Sequence, residues 1–118
     1  MIDLSGTKVL VTGASSMIGR AAIKSIKKRN ATVIPIYHQE YDLLDYYQAF
    51  AALNKHKPDY CVHLAGYNGN IGFNKLYPAD IFYNTTTMGL NTLKACSLTG
   101  VKKVVSALAS CAYRSTNE

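Results

Sequence analysis

A chain of 118 residues, 48% hydrophobic and 17% charged, has apolar material for one core and is too short for two separately folded domains. Its formal charge of +6, from 13 basic against 7 acidic residues, admits either a nucleic-acid partner or a preference for anionic ligands. No window approaches the ~18 consecutive apolar residues of a membrane span, and Met1-Ile2-Asp3 opens nothing like a secretory leader, so no membrane is expected and the expected location is the cytoplasm.

The placement of the charges decides against nucleic acid. Lys24, Lys27, Lys28 and Arg29 cluster where a helix should end and where cations complement its dipole, and Lys102 and Lys103 introduce a strand. The nine tyrosines are scattered rather than striped along one strand as a base-stacking surface requires. Cys61, Cys96 and Cys111 are odd in number and stand at no metal-ligand spacing, so reduced thiols and no metal are expected.

In chain order, Lys8 to Thr12 (KVLVT) is a short β-rich run, and Met17 to Lys28 places Ile18, Ala21, Ala22 and Ile26 at helical spacing. Thr32 to Tyr37 is a second apolar run, whose Pro35 argues for a strand end or a lightly paired position. A short β-segment is expected near Tyr41 to Leu44 and a helix from Tyr46 to Lys55. Tyr60 to Leu64 reads as a third strong strand, and a long helix follows from Pro78, suited to a first turn, to Leu98. Gly100 stops that helix, and Val101 to Leu108 supplies the next strand. There is no internal repeat and no linker.

Strand and helix alternating with tight connections predict an α/β fold: a Rossmann-type parallel sheet with helices on both faces, strand order 3-2-1-4-5. Such a sheet normally continues, so a sheet stopping at Val101 to Leu108 leaves that strand as an exposed, apolar edge.

The informative segment joins the first strand to the first helix, Thr12-Gly13-Ala14-Ser15-Ser16-Met17-Ile18-Gly19. A dinucleotide's pyrophosphate needs a turn without a Cβ and a helix N-terminus whose free N–H groups and dipole meet its negative charge. Gly13 supplies the turn and Gly19 close packing of helix on strand, while Ser15 and Ser16 offer hydroxyls to phosphate oxygens. A glycine-bearing loop alone is a weak signal, since any βα turn uses glycine for its geometry. Its place after the first strand, with a second strand at βαβ distance, favours nucleotide binding.

Thr12-Gly13 followed by Gly19 resembles the TGxxGxxG loop of extended short-chain dehydrogenases/reductases, Asp42-Leu43-Leu44-Asp45 their DLxD segment beside the adenine, and Val62-His63-Leu64-Ala65-Gly66 their strand segment along the cofactor. The run Asn74 to Asp80, with Tyr83, Asn91, Gly100 to Val105 and Ser110-Cys111-Ala112-Tyr113, resembles the GDP-L-fucose synthase branch, whose members are epimerase-reductases of GDP-4-keto-6-deoxymannose. The likeness runs from about Lys8 to Tyr113 but covers only the first part of a family member.

The resemblance implies that residues 1–118 are one NAD(P)-binding domain without the sugar-binding C-terminal region. It also implies NADP as cofactor, with NAD as the alternative, bound by Gly13, Ser15, Ser16, Met17, Ile18, Gly19, His38, Asp42, Leu43, Leu64, Ala65 and Gly66. In such enzymes a reduced nicotinamide delivers hydride to a keto-sugar after two epimerisations, with a serine, a Tyr-x-x-x-Lys pair and a cysteine/histidine acid/base pair. Cys111 falls on the cysteine position, and the reading of it as a plain buried thiol stands beside that.

The departures are specific. Ala109 occupies the usual serine position, with Ser110 one place later; Ser16 replaces the loop's middle glycine; the helix asparagine falls on Thr85; Arg114 replaces a proline. No tyrosine is followed by lysine four residues later, so the proton donor for the hydride step is missing. The second strand ends Tyr37-His38-Gln39-Glu40: His38 at the ribose position favours NADP and Glu40 favours NAD. His63 within an apolar strand is read as a core histidine.

Two functional expectations follow: the NADP(H)-binding portion of an epimerase/reductase on GDP-sugars, inactive alone, or a degenerate module that dimerises or holds a partner. The family's dimer contact corresponds to the helix from Pro78 to Leu98.

Overall fold

The computed structural model describes residues 2–108, so Ala109, Ser110, Cys111 and Arg114 lie outside the described residues. Eight elements follow in order: β1 (Lys8–Thr12), α1 (Met17–Lys27), β2 (Thr32–Ile36), α2 (Tyr46–His56), β3 (Tyr60–His63), α3 (Ile71–Leu76), α4 (Pro78–Leu98) and β4 (Lys103–Ser106). The strands form one parallel sheet in the order β2-β1-β3-β4, with Leu10 opposite both Ile34 and Cys61, and Cys61 opposite Val104.

Side chains alternate across each strand, so β1 feeds both faces. Leu10 enters a cluster with Ile36, Ala52 and Leu53 of α2, Cys61, and Ala95 and Cys96 of α4, all buried. Val9 lies on the other side, near Ile26 of α1. Helices thus cover both faces, as the alternating pattern requires, and β1 is buried from Val9 to Thr12. Among the described residues no helix is long and apolar enough to cross a membrane.

Pro35 sits in β2, which among the described residues pairs only with β1; an edge strand tolerates a residue that has no N–H to donate. The β-segment expected at Tyr41 to Leu44 is instead a turn. Asp42 Oδ1 accepts from Leu44 N at 3.0 Å and the Asp42 carbonyl from Asp45 N at 3.1 Å, a local pairing that aspartate side chains offer in competition with a ladder. Asp45 then caps α2 by accepting from Tyr47 N at 2.9 Å.

The sheet therefore carries the expected order without its outermost strand on the β2 side. On the other side β4, at Lys103–Ser106, is shorter than the expected Val101 to Leu108; its start is delayed because Val101 N turns back to the Cys96 carbonyl at the end of α4. Val105 and Leu108 are exposed there, 53% and 69%. The helix α3 had no sequence expectation; Asn70 caps it by accepting from Phe73 N at 2.9 Å.

Candidate functional site

Parallel strands aim their C-terminal ends at one edge of the sheet, and ligands of such folds bind in the crevice beyond that edge. Here a cavity of about 680 Å³ opens there, walled by the segments that leave β1, β2, β3 and β4.

Its floor is the turn after β1. Gly13 has φ +66°, and a Cβ on it would stand 2.7 Å from the Leu64 carbonyl carbon and 2.8 Å from Ala65 N, so a side chain fits neither the conformation nor the space. A Cβ on Gly19 would collide with the Gly13 carbonyl oxygen, so α1 starts in backbone contact with the turn.

Ser16 is the N-cap of α1: its hydroxyl donates to the Gly13 carbonyl at 2.7 Å and accepts from Gly19 N at 2.9 Å. Its hydroxyl hydrogen is therefore directed at the Gly13 carbonyl inside the loop. The serine that replaces the usual middle glycine finishes the helix instead. Among the described residues no hydrogen bond uses the N–H of Met17 or Ile18, and both residues line the cavity. Those donors, with the positive end of the helix dipole, make an anion seat.

Thr12, fully buried, ties this floor to the wall that leaves β3. Its hydroxyl oxygen accepts from Leu64 N and Ala65 N, both at 3.1 Å, and lies 2.8 Å from His63 Nδ1. With both lone pairs taken, the one hydroxyl hydrogen goes to Nδ1, which fixes His63 as the Nε2-protonated, neutral tautomer. Burial pushes its pKa down in the same sense. The expected core histidine thus has a specific partner.

Of the expected cofactor residues, Gly13, Ser15, Ser16, Met17, Ile18, His38, Asp42, Leu43, Leu64, Ala65 and Gly66 all line the cavity, whereas Gly19 packs behind its floor. His38 lines it and Glu40 does not. Sequence reading missed Ile36, Tyr37, Tyr41, Leu44, Tyr67, Asn68, Met88 and Ala107. The signal for most was available: Ile36 ends a parallel strand, and Tyr37, Tyr67, Asn68 and Ala107 each follow the end of one.

Elsewhere, Cys61 and Cys96 are buried free thiols; a hydrogen bond to Cys96 and burial push Cys61 up, which makes it an inert thiol. Among the described residues no cluster of histidine, cysteine and carboxylate suits a metal ion.

The sequence matches the model of the NAD dependent epimerase/dehydratase family over residues 9–118. It is 31% identical to a GDP-L-colitose synthase from Yersinia pseudotuberculosis over 90% of this chain and 34% of the relative. It is likewise 31% identical to a GDP-L-fucose synthase from Sinorhizobium fredii over 96% of this chain and 36% of the relative. The chain thus spans about a third of the length of the curated relatives it matches. The crystal structure of a GDP-L-fucose synthetase from Naegleria fowleri bound to NADP superposes with a TM-score of 0.80 at 26% identity, over 100% of this chain and 35% of that one.

Proposed function

The chain belongs to the NAD-dependent epimerase/dehydratase family, and from that premise we propose that it is the NADP(H)-binding portion of a nucleotide-sugar epimerase/reductase resembling GDP-L-fucose synthase. The observation that carries the reading is one cavity running from His38, across the free N–H groups of Met17 and Ile18, to Tyr67. In it the N-terminus of α1 would hold the pyrophosphate, His38 and Asp42 would flank the adenosine, and Tyr67 and Ala107 would flank the nicotinamide. The backbone of Leu64 to Gly66 runs between, held by the Thr12 hydroxyl.

That His38 lines the cavity and Glu40 does not favours NADP over NAD, because a carboxylate there repels a 2′-phosphate. When bound, the reduced nicotinamide supplies hydride. Within a longer protein Cys111 acts as the acid/base thiol and Ser110 as the hydroxyl beside the ketone, on a GDP-sugar. The 118 residues hold no Tyr-x-x-x-Lys pair, so by themselves they bind cofactor and turn over no keto-sugar. The setting proposed is the cytoplasm, where thiols such as Cys61 and Cys96 stay reduced.

Titration with NADPH is expected to quench or enhance nicotinamide fluorescence saturably and to raise Tm, with NADH binding more weakly. No change at millimolar NADPH sinks the reading.

A second reading rests on a different observation. Phe82, Leu90 and Leu93 lie on one side of α4 with 74%, 62% and 47% of their surface exposed, a stripe suited to pairing with the same helix of a second copy. A dimer indifferent to NADPH in light scattering, with no cofactor binding, supports that module over the enzyme portion.

A further inference from the structure

Resting on the cofactor reading, we infer that α4 sets both ends of the cavity through two positioning residues, Asn91 for the adenosine end and Thr85 for the nicotinamide end. Neither lines the cavity.

Asn91 Nδ2 donates to the Leu43 carbonyl at 2.8 Å and to the Leu44 carbonyl at 3.2 Å. The turn that carries Asp42, Leu43 and Leu44 along the cavity is otherwise closed by short-range bonds: Asp42 to Leu44 and Asp45, and Gln48 Oε1 accepting from Asp42 N at 2.9 Å. Those bonds shape the turn but do not fix where it stands. Apart from the buried Leu43 side chain, the described polar tie from this turn across the fold is Asn91, 48 residues further along the chain.

Thr85 does the corresponding work at the other end. Its hydroxyl accepts from Tyr67 N at 3.1 Å and donates to the Tyr67 carbonyl at 3.3 Å, gripping one residue by both its backbone groups. Its Cγ2 lies 3.8 Å from where a Cβ on Gly66 would stand. Beyond that grip the Tyr67 ring packs edge-on to Phe73 at 5.8 Å and Phe73 against Tyr77 at 5.0 Å, which carries the loop back to the start of α4.

Six residues separate the two side chains, about 9 Å along the helix axis. A rigid helix therefore fixes the distance between the cavity's two rims, and the ligand fragments at the two rims should report on the two residues separately.

The test is a titration of the full chain by two-dimensional amide NMR with 2′,5′-ADP and, separately, with reduced nicotinamide mononucleotide. Asn91→Leu and its isosteric counterpart Asn91→Asp, which lacks the donor, are expected to weaken 2′,5′-ADP about five- to tenfold, the scale of one lost hydrogen bond, and to leave the mononucleotide within twofold. Thr85→Val is expected to do the reverse, and Thr85→Ser, which keeps the hydroxyl, to restore mononucleotide binding. Amide spectra show directly that each variant is folded. Variants that weaken both fragments alike, or neither, overturn the inference while wild-type binding of both leaves the cofactor reading standing. A wild-type chain that binds neither fragment nor NADPH removes the reading and the inference together.

Discussion

A hydroxyl has two lone pairs and one hydrogen, and at Thr12 all three are committed, to Leu64 N, Ala65 N and His63 Nδ1. Thr12→Val is nearly the same shape and leaves those groups buried without a partner. A loss of about 1 to 3 kcal/mol in urea unfolding is expected, with weaker NADPH binding, and Thr12→Ser should recover both. His63 adds a pH dependence whose sign follows from burial. Its folded pKa lies below the ordinary 6.5, so the unfolded chain binds the extra proton first. The stabilisation is present above pH 6.5 and is lost as pH falls from there toward the depressed folded value. Urea midpoints should fall across that window, and His63→Asn, which still accepts from Thr12 but does not titrate, should flatten the slope; an unchanged slope in that variant refutes the assignment. Gly13→Ala, at φ +66° and against the Leu64 carbonyl carbon, is expected to cost about 1 to 3 kcal/mol and to abolish saturable NADPH binding.

At the scale of elements, α1 depends on one cap. Ser16→Ala removes the acceptor for Gly19 N and the donor to the Gly13 carbonyl, for an expected loss of about 1 kcal/mol in chemical denaturation. In α4 the outward stripe is the point to test: Leu90→Glu with Leu93→Glu should turn any dimer into monomer in light scattering without lowering the fragment affinities. Long elements were legible because their periodicity is read over many residues. The stretch Pro78–Leu98 gave its helix from pattern and a leading proline, and the apolar run Lys8–Thr12 its strand. What was not legible is local and polar. Asp42 reads as a strand neighbour by composition, yet its side chain closes a turn. The six residues of Ile71–Leu76 are too few for a period, and only the Asn70 cap marks them. The floor of the site was legible for the same reason as β1, since the glycine turn is contiguous. The far walls were not all so, because Tyr41 and Met88 reach the cavity only through packing across tens of residues.

For the molecule as a whole, the cavity is the product of four strand ends brought level by the parallel register. A ligand held there stabilises every element that supplies a wall. NADPH at a hundredfold excess over its Kd should add about 2.7 kcal/mol to unfolding. For a domain of this size that is a Tm rise of about 10 °C or more, read by thermal melts, and a rise seen equally in Gly13→Ala would show binding elsewhere. The order of the sheet also has a bearing on how the chain comes to be. The central strand, β1, is translated before its inner partner, because Val9 pairs with Tyr60, far along the chain. At about 5 to 20 residues per second a ribosome needs several seconds to deliver that partner. For that interval Val9, Leu10 and Val11, which end among the most enclosed residues, are nascent polypeptide with nothing to zip against on one flank, and a chaperone able to shield a short oily stretch has its best opportunity then.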